Sequence, residues 1–149
     1  MNIKTRALSA LLGIFAFGMF ATATVAADRP YSEGPVVVVS AIRTEPGMFD
    51  EYMKYVSGPY KQLMEEQKKA GIIVSWDVYS VAPRGPNDPD LYLTTTFKNM
   101  AALDDLNAKT DPIDEKVFGS LDKSNSAAID REKIRKLMGD TMMRKLIIK

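Results

Sequence analysis

The run "VVVVSAIR" at residues 36–43 limits the fold more than any other stretch. Four consecutive β-branched residues favour a strand, because a branched Cβ stiffens χ1 and packs well on a pleated surface. A strand sends alternate side chains to opposite faces. Val36 and Val38 therefore point one way, Val37 and Val39 the other. Both faces are apolar and both need cover, so the segment reads as a central strand.

The stretch after "TEPG" has a different period. Phe49, Tyr52, Met53, Val56, Tyr60, Leu63, Met64 and Gln67 follow one helical face, with charges opposite, over residues 48–70. Gly58-Pro59 interrupts it, and proline inside a helix costs about 3 kcal/mol. The apolar register continues past the break, which predicts a kinked helix or two collinear ones, stopped at Gly71. Residues 72–81 and 91–97 read as two strands joined by the proline-rich loop "APRGPNDPD". A short helix over 99–107 with an Asn99 cap follows, then a helical stretch from Asp111-Pro112. "DKSNSAA" reads as a polar break, 130–138 as a charged helix ending at Gly139, and "TMMRKLIIK" as a last strand. The order is βαββαβ. It predicts an α+β, ferredoxin-like fold with a four-stranded antiparallel sheet and helices on one face.

Residues 1–27 stand apart. Lys4 and Arg6 precede an uncharged apolar run that ends in "ATATVAA". This is the layout of a signal peptide cleaved after Ala27 or Ala26, giving an exported, periplasmic or secreted protein. The run is also long enough for an uncleaved anchor, since 21 residues span about 30 Å. Residues 28–35 read as a polar leader and 36–149 as one domain, long enough to bury a core. The two basic residues of 1–27 leave 18 basic against 19 acidic residues in the remainder, a formal balance of −1. That gives no electrostatic case for nucleic acid or, after cleavage, for a membrane surface.

The chain has no cysteine and no histidine. An exported protein of this kind relies on its core rather than on disulfides. Ser-His-Asp triads, thiol nucleophiles, Cys/His zinc sites and histidine-ligated haem are excluded. No metal or other cofactor is expected. "NDPD" lacks the twelve-residue spacing of a calcium loop and reads as a solvated turn.

The segments "VVVVSAIRTEPGMFDEYMKY", "GIIVSWDVYSV", "LYLTTTF", "FKNMAALDDL" and "MRKLII" together resemble the dimeric α/β-barrel superfamily, which includes the antibiotic-biosynthesis monooxygenase-like proteins. The resemblance covers nearly all of residues 28–149 and is one of topology and pattern. It implies a homodimer in which two sheets pair face to face. It also implies a cavity between sheet and helices for an apolar or aromatic compound, and in some members a cofactor-independent monooxygenase reaction. A non-catalytic binding or structural module with a filled core is the other reading. An enclosed cavity above about 300 Å³ with two or more converging polar groups would favour ligand chemistry, and a filled interior the module.

Candidate ligand-binding residues come from three places. On the second strand, Trp76 is either a wall for a flat ligand or core. Asp77 and Tyr79, on the opposite face, either handle a proton or lie at a dimer seam. On the kinked helix, Tyr52, Tyr55 and Tyr60 either line a cavity or fill the core. Arg43 and Arg144 are expected on a central pair of strands, free to pair with Asp77 or to hold a carboxylate.

Overall fold

The computed structural model describes residues 28–149. The signal-peptide or anchor segment, 1–27, lies outside the described residues. Four strands form one antiparallel sheet: β1 (Tyr31–Thr44), β2 (Ser75–Ser80), β3 (Leu91–Phe97) and β4 (Arg135–Ile148). Their order across the sheet is β2-β3-β1-β4. The helices are α1 (Phe49–Tyr55), α2 (Lys61–Lys69), α3 (Leu106–Phe118) and α4 (Leu121–Arg131), with a short 3₁₀ turn at Met100–Leu103. The βαββαβ expectation holds. Among the described residues no helix is long and apolar enough to cross a membrane.

The valine run forms the inner part of β1, as its β-branching predicts. The strand itself starts five residues earlier, at Tyr31 opposite Ile148, so the segment read as a leader is partly strand. Val36, Ile42 and Thr44 are buried, and they share their face with buried Leu91, Leu93 and Phe97 of β3. Tyr52, Val56 and Met64 close this face from the helices. The opposite face, with Val37, Val39 and Ala41, is only half-buried.

The helix break has a specific form. Pro59 has no N–H, and its ring would clash with the carbonyl four residues back. The chain answers with a π-helical turn, Val56–Tyr60, and Gly58 leaves helical geometry at φ −102°, ψ −105°. The Lys61 N–H then reaches back five residues to the Val56 carbonyl. The apolar face stays in register on both sides, with Tyr52 and Val56 buried before the break and Met64 and Gln67 after it.

The last third departs most from expectation. Asn99 caps as predicted, accepting from the Ala102 N–H at 3.1 Å, but it caps a single 3₁₀ turn. The helix after it runs straight through Pro112 instead of starting there. "DKSNSAA" is helical rather than a break, because Ser120 caps α4 by accepting from the Lys123 N–H at 3.2 Å. Residues 135–138 are strand, not helix. β4 pairs along nearly all of β1, and that ladder overrides the charged local pattern. Gly139 does not end a helix. It sits at φ +135°, where the β1–β4 register slips between Ala41 and Ile42, and glycine is the residue that tolerates that conformation.

The second strand is shorter than the expected 72–81. Ile73 is 3% exposed while Val74 is 52% exposed, so the alternation that separates Trp76 from Asp77 begins only inside β2.

Candidate functional site

A half-open cavity of about 200 Å³ lies between the sheet and the kinked helix. Its floor is Ser40 and Ile42 of β1 and Leu93 of β3. Tyr52, Tyr55 and Tyr60 wall it from the helix side, and Arg131, Arg135, Leu137 and Asp140 close it from the α4–β4 side. The π turn places Tyr55 and Tyr60 on either side of the break. The three rings run in a chain, with centroids 5.8 Å apart for Tyr52–Tyr55 and 6.1 Å for Tyr55–Tyr60. Neighbouring aromatic rings at this distance attract through their quadrupoles.

The arginines flank the tight turn that joins α4 to β4, where the Lys133 N–H binds the Asp130 carbonyl and the Ile134 N–H that of Arg131. The Arg131 guanidinium carbon sits 4.3 Å above the centre of the Tyr55 ring, a cation–π contact. Among the described residues Nη1 of Arg131, and Nε and Nη1 of Arg135, are buried without a hydrogen-bond acceptor. Glu132 Oε1 lies 2.8 Å from Arg135 Nη1. The contact is an ion pair rather than a well-formed hydrogen bond. A buried donor left unpaired costs about 1–3 kcal/mol, and more for a charged group. On the acceptor side, Asp140 is partly committed, taking the Ser40 hydroxyl at 2.6 Å.

The phenols here are neutral. Burial pushes Tyr52 from 10.0 to about 12, partly opposed by the charges of Arg135 and Arg131. Burial raises Tyr55 too, again against the two arginines. Burial also raises Tyr60, against a hydrogen bond with Thr95. They can donate or accept hydrogen bonds but cannot serve as bases near neutral pH. Asp114, close enough to Arg131 to feel its charge, is raised by desolvation and by Asp111.

The cavity brings together three of the predicted residues, Tyr52, Tyr55 and Tyr60, and leaves Trp76, Asp77, Tyr79, Arg43 and Arg144 outside. Trp76 faces the helices, where its Nε1–H donates to Glu65 Oε1 at 3.0 Å and its ring meets Tyr60 edge-on at 5.8 Å. Asp77 and Tyr79 lie on the other face and are exposed, so strand alternation does split the group. Arg43 donates from Nη1 to Asn87 Oδ1 at 3.1 Å. Neither expected ion pair to Asp77 forms. Arg144 pairs with Glu33 at 2.8 Å instead. The reason is the strand order. β1 and β3 are the central pair and β4 is an edge, so β3 separates Asp77 from Arg43 and two strands separate it from Arg144.

Arg131, Arg135, Asp140 and Ser40 escaped the reading of the sequence. "DREKIRK" looks like a solvated helix, and nothing local shows that the chain reverses inside it.

Comparison with family models and with curated proteins finds no match. Solved structures do match. HapK from Hahella chejuensis superposes with a TM-score of 0.52 at 9% identity, over 74% of this chain and 91% of that one. A protein from Shewanella oneidensis gives 0.50 at 9% identity, over 78% and 96%. A protein described as a dimeric ferredoxin-like protein, from an uncultured marine organism, gives 0.50 at 14% identity, over 79% and 98%. At such identities the likeness carries the ferredoxin-like fold alone.

Proposed function

We propose that the protein binds a small apolar or aromatic compound in the cavity between its sheet and its kinked helix. One observation carries this reading: three tyrosines line a space at the helix break instead of filling it. The alternative module with a filled core has no use for that space. A cavity near 150 Å³ can hold benzene, and drug-sized sites begin at about 300 Å³. The half-open space of about 200 Å³ falls short of the enclosed volume set above and suits one ring with a short substituent. The monooxygenase-like reaction is a sharper version resting on the family resemblance. In this cavity the neutral phenols would orient a substrate, and the substrate's own reactivity would have to supply the rest. Native mass spectrometry of the protein from its own host should detect a retained compound of single-ring size. Failure of a panel of single-ring compounds to bind in ligand-observed NMR overturns the reading.

We also propose a homodimer. The open sheet face carries Val37, Val39 and Ala41, and on β4 the exposed Met143, opposite Val37, and Ile147 two turns of the alternation further on. Apolar surface of this kind marks an interface, and one structural neighbour is described as dimeric. Light scattering should give twice the chain mass, and Val39→Asp should give a folded monomer. A monomeric wild type contradicts the proposal. Export follows from the pattern of residues 1–27. N-terminal sequencing of periplasmic protein should start at Asp28 or Ala27, and an intact Met1 would favour the anchor.

A further inference from the structure

We infer that the compound held in this cavity is a monoanion, an aromatic or similarly flat carboxylate whose charged end meets Arg131 and Arg135. The inference rests on the binding reading above and narrows it to one ligand chemistry. Three observations carry it. Arg131 and Arg135 both line the cavity, so it is flanked by two like charges. Among the described residues Arg131 Nη1 and Arg135 Nε are buried with no acceptor, Arg135 Nη1 has only its ion pair to Glu132, and the neutral phenols opposite have hydroxyls that can donate. The cavity is therefore rich in donors, and a carboxylate is acceptor-only. The third is charge balance. Asp140 lines the same cavity and Glu132 pairs with Arg135, so their two charges offset those of the two arginines and leave no positive surplus. With no surplus to offset it, each added negative charge is held by the unpaired arginine donors alone, which disfavours a phosphate dianion more than a carboxylate. Beyond the charged end, the Tyr52, Tyr55 and Tyr60 rings offer faces and edges to a flat body.

Calorimetric titration of the full-length protein with three probes tests this: benzoate, benzyl alcohol and phenyl phosphate. They share a ring and differ in charge. Benzoate should bind at least tenfold more tightly than either of the others. Arg131→Gln and Arg135→Gln should each lower benzoate affinity tenfold or more and leave benzyl alcohol within twofold. If a glutamine variant loses its circular dichroism, the wild-type ranking of the probes still decides. Equal affinities for benzoate and benzyl alcohol overturn the charge inference while the cavity reading survives. A preference for phenyl phosphate overturns the monoanion assignment. Binding of none of the three overturns both readings.

Discussion

The two faces of the sheet carry similar residues and put them to different use. Tyrosines, valines and an arginine lie on both sides, the tyrosines of the helix side coming from the kinked helix. On the helix face, Tyr52 is 2% exposed and its phenol is pushed up to about 12. On the open face, Tyr79 is 54% exposed and pairs across the ladder with Tyr92. The side-chain type is the same in both places. Burial is what turns a phenol into a fixed, neutral hydrogen-bonding group. Candidate chemistry on this protein therefore follows the cover on a face rather than the residues that point from it.

The comparison breaks most visibly by truncation. Tyr52→Ala should lower the unfolding free energy by about 3–5 kcal/mol in urea melts, as for other buried aromatics. Tyr79→Ala should change the monomer's stability by less than about 0.5 kcal/mol. If the open face is the dimer contact, Tyr79→Ala acts instead on the dissociation constant, read by sedimentation equilibrium. Equal losses at the two positions would show that the faces are covered alike.

The alkaline limb gives the next largest effect. The folded state holds the Tyr52 proton more tightly than the unfolded chain. Its contribution is thus complete below pH 10 and is lost as pH rises from about 10 to about 12. Stability falls there by up to about 1.4 kcal/mol per pH unit from this one group. Tyr52→Phe should flatten the limb between those values, measured by denaturant melts at each pH. An unchanged slope would assign the loss to other groups.

Trp76 lies between the extremes, half-buried and bonded to Glu65. Trp76→Phe keeps most of the packing and deletes the hydrogen bond, so it should cost about 1–2 kcal/mol. Glu65→Gln should cost less, because an amide oxygen still accepts. The smallest effect belongs to Arg43→Ala, which removes one exposed bond to Asn87 and should stay within about 0.5 kcal/mol.

Much of the architecture was legible because it obeys a period. The valine run, the helical face from Phe49 to Gln67 and the strand "LYLTTTF" each repeat at two or 3.6 residues, and each lies where that period puts it. The Gly58-Pro59 break was legible as well, since proline's missing donor acts through covalent geometry alone. One side of the cavity followed from it: Tyr52, Tyr55 and Tyr60 could be named. The other half could not. Arg131 and Arg135 are four residues apart, which looks like one helix turn, yet a chain reversal lies between them and only the pairing of β4 with β1 creates it. Gly139 shows the same ambiguity, because a glycine suits a helix end and a bulge equally well.

The sequence by itself determined the strand and helix types wherever burial enforces a repeat. It also excluded chemistry that needs cysteine or histidine, and it separated Trp76 from Asp77 by simple alternation. Tertiary structure decided where β4 begins, which strand lies at the edge, and that two arginines from a charged stretch close a tyrosine-lined cavity. Local patterns report which face of an element is buried. They do not report what faces it, because that depends on partners far away in the chain, and the site is made of those partners.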